Sequence, residues 1–209
     1  INTVELNIEA EYQNKVIYLL VPLKQEIDFQ YLNYFQNNFL CKEFSKNYER
    51  FIYANPDIIS INLYKLYKGN SGYFEFGDTH WNNLGFNLAL MEILKITNPD
   101  ESFELIKLGL LKENNKVLER LGLIKFESNS GEFHIQPIPK IKKDVLIIHD
   151  SFFEESYAPN TYLSNYFDLE YQRWSEDIDL NSSAKNFDFV IIQSSIETFF
   201  EIRISKIRN

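Results

Sequence analysis

Two short stretches hold the residue types needed for acyl transfer through a serine. The first, FGDTHWNNLGFNLAL from Phe76 to Leu90, sets Asp78 and His80 two positions apart at the mouth of a run that reads as a helix. The second, DVLIIHDSFF from Asp144 to Phe153, ends an apolar strand abruptly in His149, Asp150 and Ser151. A hydroxyl is a weak nucleophile until a base takes its proton. His80 could be that base for Ser151, and Asp78 could hold the imidazole in the required tautomer and stabilise its charged form. A serine at a strand-to-helix turn also exposes its hydroxyl beside backbone N–H groups that can stabilise an oxyanion. Each stretch has a plainer reading. An Asp-Ser pair after a strand commonly caps a helix, and Asp-Thr-His commonly forms a turn.

The elements that must position these residues are legible as a pattern. KVIYLLVP, Lys15 to Pro22, is a short apolar run stopped by Pro, the signature of a buried parallel strand. FQYLNYFQNNFLCKEFSKNYERFI carries aromatics at helical spacing and predicts one or two helices. DIISINLYKLY predicts a strand running into a turn or short helix, and KGNSGYFEFGDTHW a loop with a brief extended piece. NLGFNLALMEILKI, Asn83 to Ile96, predicts an amphipathic helix with Leu84, Leu88, Met91 and Leu94/Lys95 on one face. Asn82 and Asn83 would cap its start and TNPD would stop it.

DESFELIKLGLLKENNKVLERLGLIKF predicts one or two further helices, and ESNSGEFHIQPIPKIKK a polar stretch or hairpin. Residues 97–143 are expected to be a linker or insertion between a His-bearing and a Ser-bearing half of one domain spanning 1–209. YAPNTYLSNYF predicts a helix, DLEYQRW a strand, FDFVIIQSS a buried strand and IETFFEIRISKI a closing helix. Apolar strands alternating with helices imply an α/β fold, a three-layer sandwich around a mostly parallel central sheet. Such sheets place their chemistry at the carboxyl ends of the strands. Two polar clusters fall there, HDS after VLII and QSS after FVII.

Composition removes several function classes. With 21 Lys and Arg against 30 Asp and Glu, the net charge of −9 opposes non-specific nucleic-acid binding, which needs clustered cations. The basic cluster PKIKK, Pro139 to Lys143, reads as the solvated start of a strand or as an anion or membrane contact. One cysteine, Cys41, excludes an internal disulfide and any Cys-rich zinc site. No apolar run reaches the about 18–20 residues that cross a bilayer. The first residues, INTVELNIEAEY, include no initiator Met and do not read as a signal peptide, so a fragment or processed form is expected. No spacing of His, Asp and Glu proposes a metal site and no Gly-rich loop a nucleotide, so no cofactor is expected.

The two motifs together, DTHWNNLG with its upstream VIYLLVP and ISINLYKLY strands and VLIIHDSF downstream, resemble the SGNH-hydrolase-like domain of alginate O-acetyltransferases. The resemblance runs from about residue 13 to about residue 200. It implies a triad of Asp78, His80 and Ser151. The order of the motifs also resembles a circular permutation of ordinary SGNH esterases, with the His half first and the Ser half second. Three departures stand out. Ordinary members have Gly-Asp-Ser where this chain has His149-Asp150-Ser151. They also have a Gly-x-Asn-Asp that is missing here, and Glu-Arg after a later strand where this chain has Glu197-Thr198.

The strand end IIQSSIET makes Gln193 the first oxyanion candidate and Ser194 the second. Trp81 could stack on a sugar or wall the pocket, and Tyr157 could line the acceptor site or pack in the core. His149 could be a structural ring or a substitute base, Asp150 reads as a cap, and His134 as a surface residue. The resemblance implies a serine-dependent O-acetyltransferase acting on a cell-surface or exported polysaccharide. It further implies an extracytoplasmic location and an acetyl donor supplied by a membrane O-acyltransferase. A carbohydrate acetylesterase with the same triad is the alternative, and a catalytically weak glycan-binding or assembly module is a third reading.

Overall fold

The computed structural model describes residues 8–22, 27, 52–67, 71–75, 80–114, 127–153, 158, 160–173 and 178–195. Five parallel strands form the central sheet: β1 (Val16–Val21), β2 (Ile59–Asn62), β5 (Lys143–His149), β6 (Phe167–Arg173) and β7 (Phe189–Ser195). Their order is β2-β1-β7-β5-β6. The inner strands are apolar along their length because both faces are covered; all six residues of β1 are buried. The edge strands β2 and β6 are only partly buried and more polar.

Register aligns one apolar residue from each strand across a single face. Ile17 stands opposite Ile59 on one side and Ile191 on the other, Ile191 is paired to Ile147, and Ile147 to Tyr171. This row packs with helix α2 (Asn83–Thr97), which buries Phe86, Ala89, Leu90, Ile93 and Leu94. On the opposite face Tyr18, Ile192 and Ile148 pack with Leu180 and Ala184 of α4 (Leu180–Asn186). Helices on both faces of a parallel sheet make the three-layer α/β sandwich that the alternating pattern implies. Short helices α1 (Leu63–Tyr67) and α3 (Asn160–Leu163) follow β2 and precede β6.

Two expectations are corrected. Glu104–Asn114, expected to be helical, is strand β3, and it pairs antiparallel with β4 (Glu127–Gln136), which lies in the segment expected to be a polar stretch or hairpin. The run LIKLGLL has enough apolar residues for either period, and the partner that satisfies its backbone lies more than a dozen residues away, invisible to local periodicity. The polar ESNSGEFHIQ is the second arm of that hairpin. Residues 115–126 lie outside the described residues, as do residues 29–51 of the aromatic helices expected over 29–52 and the closing helix after Ser195. In α2 the buried face is Phe86, Ala89, Leu90, Ile93, Leu94 and Thr97, whereas Leu84, Leu88 and Met91 are only half-buried. The helix has more apolar residues than one stripe can hold, so periodicity alone misplaces its core face.

The hairpin packs on α2 and α3 through a polar seam. Asn83 Oδ1 accepts the Phe133 amide at 2.7 Å. The Tyr162 hydroxyl donates to Asn87 Oδ1 at 2.6 Å and accepts the Ile135 amide at 3.2 Å. The Tyr166 hydroxyl donates to the Ile135 carbonyl at 2.8 Å. Burial holds both phenols above the ordinary tyrosine range.

Candidate active site

The His-bearing turn is built by backbone closure and one asparagine. Phe74 bridges Trp81 as an antiparallel pair, the Glu75 amide donates to the His80 carbonyl at 3.0 Å, and the Asn82 amide donates to the Tyr73 carbonyl at 2.9 Å. Asn82 is the N-cap of α2, its Oδ1 accepting the Gly85 amide at 3.0 Å. Its Nδ2 donates to the carbonyls of Gly72 at 2.8 Å and Phe74 at 3.3 Å. One side chain thus clasps the loop to the helix. Asn83 is already helical and serves the hairpin rather than the cap. Gly85 is required here because any Cβ would overlap the Tyr73 carbonyl oxygen. From α1, the buried Tyr67 hydroxyl donates to the Gly85 carbonyl at 2.6 Å, and burial raises its pKa well above the usual value.

The Ser-bearing turn begins where β5 ends. Ser151–Phe153 forms a single 3-10 turn. Asp150 Oδ1 accepts the Phe152 amide at 2.9 Å, the capping role expected for it. The Asp150 amide donates to Gln193 Oε1 at 3.1 Å, and the His149 Nδ1–H donates to the Asp150 carbonyl at 2.6 Å.

These two turns meet. His80 Nε2 lies 2.9 Å from Ser151 Oγ, across 71 positions of sequence. That is ordinary hydrogen-bond length and within reach for proton transfer. The residues beside them explain the approach. Trp81, next to His80, packs edge-on against Phe152 at 5.3 Å and Phe153 at 5.4 Å, the two residues after Ser151. Phe152 also lies 4.8 Å from the His80 ring, and Phe86 of α2 contacts Trp81 and Phe153. Buried aromatic pairs contribute about 0.5–1.5 kcal/mol each beyond their buried area, so this cluster joins the turns firmly. His80 and Ser151 themselves remain partly exposed.

The other expected site residues separate into three groups. Asp78 and Tyr157 lie outside the described residues. Trp81 is fully buried and offers no face to a sugar, so it walls the site. Gln193 does reach the Ser151 turn, but its side-chain oxygen holds the Asp150 amide and the residue is fully buried. Ser194 is turned to the other face of the sheet, where its hydroxyl is 2.6 Å from the Tyr18 hydroxyl. Successive strand residues point to opposite faces, so Gln193 and Ser194 cannot both serve one site. Sequence reasoning missed Phe152, which packs beside the His80 ring. Its only signal was adjacency to the serine. Among the described residues no group of His, Cys, Asp and Glu could hold a metal ion.

The fold is similar to those of several solved structures. The O-acetyltransferase domain of Pseudomonas putida AlgJ superposes with a TM-score of 0.54 at 13% identity, covering 89% of this chain and 76% of that one. Pseudomonas aeruginosa AlgX gives 0.55 at 14% identity over 89% of this chain and 54% of that chain. Bacillus cereus PatB1 with a sulfonyl adduct gives 0.56 at 15% identity, covering 90% and 82%. At such identities the likeness establishes the fold, and it agrees with the resemblance carried by the two motifs. No protein-family model matches the sequence, and no curated protein matches it.

Proposed function

We propose that this protein is a serine-dependent acetyltransferase that acts on a cell-surface or exported polysaccharide. The observation that carries the reading is the 2.9 Å contact between His80 Nε2 and Ser151 Oγ at the carboxyl end of the parallel sheet. The fold shared with an O-acetyltransferase domain supports the choice of acyl group. Ser151 Oγ attacks the carbonyl carbon of an acetyl donor while His80 Nε2 takes its proton. The tetrahedral intermediate collapses, the bond to the leaving oxygen breaks, and His80 returns the proton to that oxygen. A sugar hydroxyl then gives its proton to His80 and attacks the acetyl-serine. Collapse releases the acetylated sugar and restores the serine hydroxyl. Asp78 is assigned the orientation of the His80 ring, and the Ser151 amide the stabilisation of the oxyanion.

The acceptor is a polysaccharide hydroxyl and the donor an acetyl group delivered by a membrane O-acyltransferase, outside the cytoplasm. No helix among the described residues is long and apolar enough to cross a membrane. The test supplies an activated acetyl ester with oligosaccharide acceptors and follows nitrophenolate release and acetylated sugar by mass spectrometry. Acetylated oligosaccharide that disappears in Ser151→Ala is the expected result. Hydrolysis with no transfer to any acceptor would make the protein an acetylesterase. Release unchanged in Ser151→Ala would remove both enzymatic readings.

A further inference from the structure

Two side chains outside the base–nucleophile pair hold the residue that precedes the nucleophile. Gln193, from the neighbouring strand β7, accepts the Asp150 amide at 3.1 Å. His149, the last residue of β5, donates from Nδ1 to the Asp150 carbonyl at 2.6 Å. Both main-chain polar groups of Asp150 are therefore gripped by side chains, and all three residues are buried. The Asp150 carbonyl and the Ser151 N–H belong to one planar trans peptide and point in opposite directions. Pinning the oxygen fixes the direction of the N–H.

We propose that His149 and Gln193 are positioning residues: together they lock the Asp150–Ser151 peptide so that the Ser151 N–H faces the oxyanion formed when Ser151 attacks an ester. The proposal rests on the serine acyl-transfer reading above. A single preorganised oxyanion donor is worth about 10²–10³ in kcat, and it has that value only if it does not rotate at the moment of reaction. Packing fixes the His149 ring: Tyr171 meets it edge-on at 5.8 Å and Phe153 lies 6.5 Å away. The contact to the carbonyl requires the proton on Nδ1. The ring nitrogen on Ser151 Oγ is that of His80, so His149 supports the turn rather than acting as a second base. A histidine in place of the usual glycine gives the turn a donor that glycine lacks.

The test uses isosteres. An Asn amide nitrogen sits near the position of imidazole Nδ1, whereas a Gln amide nitrogen reaches the position of Nε2. His149→Asn should keep kcat for an activated acetyl ester within about threefold, while His149→Gln and His149→Leu lower it roughly 30–100-fold at unchanged KM. Gln193→Met, which removes the acceptor, should fall with them. Nitrogen-15 NMR of the wild-type protein should show His149 as the Nδ1–H tautomer and a slowly exchanging Asp150 amide. This readout needs no activity, and it decides the matter if a variant fails to fold. Equal kcat in Asn, Gln and Leu variants of an active enzyme, or an Nε2–H tautomer, would overturn the proposal and leave the acyl-transfer reading standing. Loss of Ser151 dependence in the wild type would overturn the acyl-transfer reading instead.

Discussion

His80 Nε2 and Ser151 Oγ are in hydrogen-bond contact although 71 positions separate them in the chain. Neither turn makes this contact alone. Trp81 beside His80 is packed against Phe152 and Phe153, which follow Ser151, so the core itself sets the distance. An apolar junction is laid down one residue away from each of the two residues in contact.

A base and nucleophile that act as a unit have non-additive mutant effects. Ser151→Ala and His80→Ala should each lower kcat for acetyl transfer by at least about 10⁴-fold, and the double variant should be scarcely worse than either single one. Steady-state kinetics on purified, folded variants checks this. Effects that multiply would mean that the two residues act independently.

Asp78 is two residues from His80 and is proposed to hold its ring. Asp78→Asn should leave the melting temperature nearly unchanged and lower kcat about 10²–10⁴-fold, because the wrong tautomer then faces Ser151. Kinetics paired with thermal unfolding separates this from general destabilisation. Full activity in the variant would strike Asp78 from the mechanism.

Asn82 caps α2 and also donates to two carbonyls of the His-bearing loop. Asn82→Ala should cost about 2 kcal/mol of stability by removing both functions. Asn82→Asp keeps the acceptor for the Gly85 amide but loses the loop donors. It should recover part of the stability while kcat stays depressed, since the loop carrying His80 is no longer clasped. Denaturant unfolding and kcat, measured together, test this split.

The meeting of His80 and Ser151 was legible in the sequence, as was the parallel α/β sheet, whereas parts of the scaffold were not. Asp-Thr-His-Trp and Asp-Ser-Phe stand out because polar residues interrupt apolar runs at the ends of elements, and the strands KVIYLLVP, DVLIIHDS and FDFVIIQS are apolar because both their faces are covered. LIKLGLL was less legible, since its strand character is imposed by a partner arm at Glu127–Gln136. Gln193 was found by position at a strand end, but its orientation toward the Asp150 amide depends on the β5–β7 pairing, which no single segment encodes. Ser194 illustrates the same limit, because a strand's exposed face is set only once the sheet forms.

Alkaline stability reports on the buried phenols. Burial is the first cause of the raised pKa of Tyr67, Tyr162 and Tyr166, so the fold favours their protonated forms. A raised folded value means their contribution is complete below the ordinary tyrosine value of about 10 and is lost as pH rises toward the folded values. The melting temperature should not respond to these groups at neutral pH and should fall above about pH 10. Tyr162→Phe should cost about 1–3 kcal/mol at neutral pH, because the Ile135 amide and Asn87 Oδ1 lose a partner, and should flatten the alkaline decline. An unchanged alkaline slope would show that the hairpin seam is not the titrating element.

The most direct measurement of the central claim is the rate at which a sulfonyl fluoride labels the protein, with the modified residue located by peptide mass spectrometry. The account predicts modification at Ser151 in the wild type, and a rate at least about 10²-fold slower in His80→Gln, since general-base assistance contributes about 10²–10⁴-fold. Modification elsewhere, or an equal rate in the two proteins, would contradict the assignment of His80 as the base that activates Ser151.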